Sequence, residues 1–218
     1  MKGNTDRAVL QTKRAYSQIH QDYAYRNAVP NADVVRMLDR FISLVPGKRV
    51  MDIGCAEGRE TKYLADRGLH VTGCDLSEEF IAMAKVKCPN TRFFVADMRH
   101  LPSDTGIYDG IWASASFLHI PKGDALATLK GFRNILKGRG LLYLSVLEGN
   151  FDSTRPNIDM HWPERHFSDY AQEELTDLLQ RAGFTVISVE KVPRENGNAF
   201  LHFFSHTSTS PFSKSTVA

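Results

Sequence analysis

The chain has 218 residues, of which 42% are hydrophobic and 24% charged, a length and composition that predict one α/β domain over 1–218. Lysine and arginine number 27 against 25 aspartate and glutamate residues, giving a formal net charge of +2, and the basic residues are spread along the chain. This spread disfavours nucleic acid as a partner.

The start of the chain, 1–14, is polar, and no stretch approaches the ~20 apolar residues that span a bilayer. We therefore expect no membrane partner. Cys55, Cys74 and Cys88 are three in number and have no CxxC spacing, which indicates reduced thiols and a cytoplasmic location, and no bound metal. The oligomeric state does not follow from the sequence.

Two helices are predicted first, over about 5–25 and 32–44. Short apolar runs then alternate with helical patterns, which is typical of βαβ units with a parallel sheet covered on both faces. The strands of this region are predicted at 49–53, 69–74, 92–96, 108–113 and 141–147, and the helices at 59–66, 77–88 and 124–136. Ser77 is expected to cap the second of these helices, and Gly138 with Gly140 to form the turn into the fifth strand.

The segment 148–167 has no clear period and contains Gly149, Pro156 and Pro163, so we expect a long irregular connection. A helix over 171–182 and two strands, 185–192 and 199–205, follow. A tight turn between these strands predicts an antiparallel hairpin at the edge of the sheet. The Ser/Thr-rich end, 208–218, is expected to be a loose tail.

Acidic residues end the first three strands at positions suited to a nucleoside. The turn after the first strand reads Asp52-Ile53-Gly54-Cys55-Ala56-Glu57-Gly58, and its small residues let a ligand lie against the backbone. Asp75 can accept hydrogen bonds from a ribose diol. Asp97 can accept from the amino group of adenine. A dinucleotide fingerprint would need a third glycine where Arg59 stands, so a pyrophosphate is disfavoured.

These motifs, followed by Tyr108-Asp109-Gly110-Ile111-Trp112, resemble those of the class I S-adenosylmethionine (SAM)-dependent methyltransferases, in their type 11 small-molecule branch. The resemblance covers about 45–192. It implies a Rossmann-like, doubly wound, mostly parallel seven-stranded sheet over 45–207, with an antiparallel C-terminal edge hairpin and the helices of 1–44 as a lid over the site. The chain departs from the commoner pattern at Ala56, where most members have glycine.

The resemblance also implies the contacts of a SAM cofactor. The amino-acid part would lie against Gly54, Ala56 and Gly58, while Asp52 would orient the loop and the ammonium group. Asp75 would hold the ribose, and Leu76, Asp97 and Met98 would contact the adenine. The remaining predicted cofactor residues are Cys55, Ser114, Tyr23 and Arg26.

His119 follows the fourth strand, where the family places the transferring methyl group, and is either a catalytic base or a packing residue. Tyr16 and Tyr23 lie seven positions apart on one helix face. They form either a packing stripe or part of the lid, with Tyr16, Tyr23 or Arg26 near the sulfonium or the methionine carboxylate. We therefore take Tyr16 as a second catalytic candidate.

His161, Trp162 and His166 are candidate contacts of the acceptor, although polar surface loops often have no function. Their spacing matches no common metal-ligand motif. An Asn-Pro-Pro-Tyr motif is absent after the fourth strand, which argues against adenine or glutamine N-methylation. The leading hypothesis is methyl transfer to a small-molecule acceptor. The alternatives are an enzyme that cyclises or fragments SAM without an acceptor, and a non-catalytic partner subunit.

Overall fold

A mixed sheet with helices on both faces forms the centre of the computed structural model, which describes residues 2–101, 107–157, 161–195 and 197–208. The helices are α1 (Lys2–Arg26), α2 (Ala32–Leu44), α3 (Arg59–Asp66), α4 (Glu78–Lys87), α5 (Lys122–Ile135) and α6 (Gln172–Arg181). The strands are β1 (Arg49–Ile53), β2 (His70–Asp75), β3 (Arg92–Val95), β4 (Tyr108–Ala113), β5 (Leu136–Leu147), β6 (Asp152–Asn157), β7 (Trp162–Ser168), β8 (Phe184–Pro193) and β9 (Ala199–Thr207).

The central sheet has seven strands in the order β3-β2-β1-β4-β5-β9-β8. Strands β1 to β5 are parallel, whereas β9 is antiparallel to both β5 and β8. The predicted doubly wound sheet with an antiparallel edge hairpin is therefore confirmed. Parallel strands place their carboxyl ends along one edge, where open α/β sheets bind their ligands.

Alternating apolar side chains of β1 pack on opposite faces of the sheet. Met51 and Ile53 join the core that includes buried residues of α5 and α6, and Val50 joins the core formed with α2. The next βα connection is fixed by Ser77, whose hydroxyl accepts a hydrogen bond from the Phe80 amide at 3.2 Å, as a helix N-cap does.

Two predictions about local structure are wrong. The segment 148–167 is not irregular, because β6 and β7 pair there as a separate antiparallel hairpin. Strand β5 begins at Leu136, so Gly138 and Gly140 lie within a long strand with a register shift against β4 and not in a turn before it. Of the predicted loose tail, all but Ser208 lies outside the described residues.

No helix in the described ranges is long and apolar enough to cross a membrane. Those same ranges contain no group of three or more His, Cys, Asp or Glu side chains arranged to hold a metal ion.

Candidate active site

A cleft with an empty volume of about 750 Å³ opens at the carboxyl ends of the parallel strands. Ten residues predicted from the sequence line it: Tyr16, Tyr23, Gly54, Ala56, Asp75, Leu76, Asp97, Met98, Ser114 and His119. The cleft therefore joins the end of each of the first four strands to one face of α1.

The turn after β1 has a backbone conformation that brings it close to its neighbours. Gly54 has φ 76°, and a Cβ there would come within 2.3 Å of the Ser116 Cβ, so no larger residue fits. Ala56 has φ 45°, in the left-handed region that a residue with a Cβ rarely adopts. Backbone strain of this kind is stored at functional sites.

Asp75 stabilises that turn and retains capacity for a ligand. Its Oδ2 accepts from the Ala56 amide at 3.0 Å and its Oδ1 from the Ser77 amide at 2.9 Å. A carboxylate has about four acceptor positions, so positions remain for ligand hydroxyls. Burial raises the pKa of Asp75 to about 6, an effect that these backbone hydrogen bonds only partly offset.

Asp97 lies at the adjacent strand end and is held by Arg99. The Arg99 Nη2 donates to Asp97 Oδ2 at 2.7 Å, and its Nη1 donates to Asp124 at 2.9 Å. Burial raises the pKa of Asp97, but hydrogen bonds from Arg99 outweigh burial and leave it below its usual range. Asp97 is therefore a fixed anion in the cleft.

Asp52 is on β1 beneath the cleft and does not line it. It accepts a hydrogen bond from the Thr61 hydroxyl at 2.5 Å. Burial, together with the nearby Glu60, raises the pKa of Asp52 to about 8, so its carboxyl is mostly protonated at neutral pH. The contact of Asp52 with the cofactor ammonium group, which the family resemblance implied, stays a prediction, because a nearby ammonium ion would itself lower the pKa of this carboxyl.

At the α1 side of the cleft, Tyr16 and His119 form a buried hydrogen-bonded pair. The Tyr16 hydroxyl and His119 Nε2 are 2.8 Å apart, and His119 Nδ1 is 2.6 Å from the carbonyl oxygen of His166. The carbonyl can only accept, which places the ring proton on Nδ1 and leaves the Nε2 lone pair for Tyr16. Burial lowers the pKa of His119 to about 3, so this ring is neutral.

Helix α1 is tied to the hairpin formed by β6 and β7. Asp22 accepts from the Trp162 indole at 2.7 Å, and the Thr12 hydroxyl accepts from the His166 amide at 3.0 Å. The Tyr23 ring packs against Trp162, with 5.7 Å between ring centroids. The hairpin therefore supports α1 from behind, and α1 itself lines the cleft.

Seven predicted site residues do not line the cleft. Cys55 and Gly58 lie beneath it with Asp52, and Gly58 packs against α4. Arg26 is bound by Asp22 at 2.9 Å on the surface of α1, away from the cleft. His161 is exposed, whereas the buried His166 points to Ser168 at 3.0 Å, and Trp162 backs Tyr23.

Some residues of the site were not predicted. Phe80 lines the cleft and packs against both tyrosines, with centroid distances of 5.9 Å to Tyr16 and 5.4 Å to Tyr23. Arg165 lies behind Tyr16, with 5.0 Å between the guanidinium carbon and the ring centroid. No pattern distinguishes Phe80 from a core residue, whereas Arg165 was visible as a charge within the aromatic segment.

The sheet order and the acidic strand ends define a class of α/β enzymes that bind a nucleoside at the carboxyl edge. Residues 21–189 match the family described as methyltransferase domain. The chain belongs to this family and is a class I enzyme that depends on SAM as its cofactor.

Two curated relatives and one solved structure illustrate the likeness. The chain is 26% identical over 156 residues to an uncharacterized methyltransferase of Synechocystis, covering 67% of this chain and 71% of that protein. It is 32% identical to the ubiquinone biosynthesis O-methyltransferase of Coxiella burnetii, covering 66% of each. Three other curated relatives are spanned over only 44% to 58% of their length.

The solved structure is that of 1,6-didemethyltoxoflavin-N1-methyltransferase from Burkholderia thailandensis, with bound 1,6-didemethyltoxoflavin and S-adenosylhomocysteine (SAH). Its TM-score is 0.71 at 22% identity, over 92% of this chain and 88% of that one. At this identity the comparison supports the fold alone.

Proposed function

We propose that the protein transfers a methyl group from SAM to a small-molecule acceptor that binds between α1, the hairpin and the fourth strand. The observation that carries this proposal is that one cleft is lined both by Asp75 and by the Tyr16–His119 pair. Relatives named for small acceptors, such as the ubiquinone biosynthesis enzyme, support the same class of substrate.

The residues present fit SAM by their chemistry. Asp75 would accept from the ribose hydroxyls, Leu76 and Met98 would flank the adenine, and Gly54 with Ala56 would lie along the amino-acid part. SAM would supply a methyl group on its sulfonium, and in-line attack of the acceptor on that methyl carbon would break the C–S bond and release SAH. The chain then has to position the nucleophile, exclude water and accept a proton where the nucleophile carries one.

His119 is suited to the first of these tasks, because its Nε2 can accept a hydrogen bond and so position the nucleophile, whereas a pKa of about 3 makes it a weak base. This atom carries a lone pair because the ring is neutral and Nδ1 is bound to the His166 carbonyl. In the structure the Tyr16 hydroxyl donates a hydrogen bond to that lone pair. We propose that the acceptor displaces the Tyr16 hydroxyl and donates its own O–H or N–H to His119.

Because all three cysteines are buried and unpaired, we also propose a reducing, cytoplasmic location.

Calorimetric titration with SAM and, separately, with NAD tests the proposed function. SAM is expected to bind and NAD to fail, and Asp75→Ala should abolish SAM binding. Asp177→Ala, an exposed change on α6 outside the cleft, is the matched control. Mass spectrometry of SAM incubated without an acceptor should show it intact; methylthioadenosine would instead indicate that SAM itself is cyclised or fragmented. Absence of SAM binding would contradict the proposal.

A further inference from the structure

Two arginines face each other across the hairpin, and only one of them is neutralised by a carboxylate. Arg155 of β6 is paired in register with Arg165 of β7. Both guanidinium groups lie on the Phe167 ring, with their carbons 4.6 Å and 5.3 Å from its centroid. Asp169 neutralises Arg155 through two hydrogen bonds of 2.8 Å.

Among the described residues, no carboxylate forms an ion pair with Arg165. It is 4% exposed, and neither its Nε nor its Nη1 has a hydrogen-bond partner within the part of the chain that the structure describes. Other cations near the cleft are paired, Lys13 with Glu78 at 3.1 Å and Arg99 with Asp97 at 2.7 Å. A buried guanidinium without a carboxylate is costly, which points to a negative group that is supplied from outside the chain.

Three aromatic rings lie close to the Arg165 guanidinium. Its guanidinium carbon lies 5.0 Å from the centroid of Tyr16, 5.2 Å from that of Trp162 and 5.3 Å from that of Phe167. Cation–π attraction to these rings makes the unpaired cation tolerable without neutralising it. Because Tyr16 also lines the cleft, a ligand that displaces its side chain meets Arg165 directly.

We infer that Arg165 binds a carboxylate of the acceptor, which is therefore an apolar or aromatic monocarboxylic acid. This inference rests on the proposed function and names its class of substrate. One uncompensated positive charge matches a monoanion better than a dianionic phosphate ester, and a planar guanidinium matches the two oxygens of a carboxylate. The three rings provide an apolar surface for the rest of the molecule.

Calorimetry with defined probes tests the inference on the full chain saturated with SAH. The probes are benzoate and phenylacetate, their uncharged amides, and phenyl phosphate. The carboxylates are expected to bind about tenfold or more tightly than the amides, because a hydrogen bond between two charged groups is stronger than one to a neutral group. Arg165→Gln should remove this preference, whereas Arg181→Gln, an exposed change on α6 that leaves the hairpin intact, should keep it.

SAH binding is measured first and separates the two proposals. A chain that fails to bind SAH contradicts the proposed function. If SAH binds, the assignment of Arg165 is overturned by equal binding of carboxylates and amides, by no binding of either, by a preference that survives Arg165→Gln, or by tighter binding of phenyl phosphate. If Arg165→Gln does not bind SAH, Arg165→Lys replaces it and should weaken the preference, since it keeps the charge but loses the planar pair of donors.

Discussion

The raised pKa of Asp75 makes cofactor binding sensitive to pH. Ribose hydroxyls donate to the ionised carboxylate. With a pKa of about 6, this carboxylate becomes protonated at a higher pH than an ordinary aspartate does. We predict that SAH affinity falls as the pH decreases from 7 to 5, by up to about tenfold per pH unit below the pKa. Calorimetry at several pH values measures this dependence.

Asp75→Asn is the control for that prediction, since an amide oxygen still accepts hydrogen bonds but does not titrate. The affinity of Asp75→Asn for SAH should be lower than that of the unchanged chain at pH 7, and it should stay constant between pH 7 and 5. Asp97 does not compete as the source of the effect, because its pKa lies below its usual range. A pH dependence that persists in Asp75→Asn would contradict the assignment to this residue.

Asp52, which precedes the turn after β1, should make the stability of the chain depend on pH. Its pKa rises from about 3.8 to about 8 on folding, so between these values the folded chain binds more protons than the unfolded chain. The free energy of unfolding should therefore fall as the pH rises from 4 to 8, by at most about 1.4 kcal/mol per pH unit. Urea unfolding at several pH values measures this slope. Asp52→Asn should flatten the slope between pH 7 and 8, above the pKa of about 6 at which Asp75 titrates, and an unchanged slope there would show that another group is responsible.

Removing one or the other of the two cross-strand arginines of the β6–β7 hairpin should have opposite effects on the stability of the chain. Arg155→Met leaves the mostly buried Asp169 without its partner and should destabilise the chain by about 3 kcal/mol or more. Arg165→Met removes an unpaired buried cation and should leave the melting temperature equal or higher. Thermal unfolding without ligand measures both, and a loss of stability in Arg165→Met as large as that in Arg155→Met would indicate a purely structural role.

The hairpin also shows where sequence reasoning fails. The strands β1 to β4 and the helices between them follow regular apolar periods and are predicted closely. The prolines of this segment predict an irregular connection, yet Pro156 lies at the register shift between Arg155 and Asn157, where a proline is compatible with a strand. Arg165 was not singled out, since the lack of a counter-charge exists only in three dimensions.

In the whole molecule, α1 and the hairpin form one cover over a sheet that is otherwise complete. Gln11 donates to Glu164 at 3.3 Å, and Trp162 donates to Asp22 at 2.7 Å. Lys13 and Ser17 join α1 to α4 through Glu78 at 3.1 Å and Glu79 at 2.8 Å. The bonds to Glu164 and Glu78 are exposed, and although Tyr16 and Tyr23 pack on the buried Phe80, opening of the cover leaves the main core of the sheet intact and should cost less than unfolding it.

We therefore predict that α1 and the hairpin open together and are closed together by ligand. Hydrogen exchange in peptides from 2–26 and 162–168 should slow in parallel when SAH is added, while β4 and β5 stay protected throughout. Asp22→Ala removes the acceptor of the Trp162 indole and should let the hairpin exchange faster than α1 in the SAH complex. Arg181→Ala, which breaks an exposed pair on α6, is the control. Protection confined to α1 would mean that the hairpin is a fixed wall of the acceptor site and that α1 alone controls access to it.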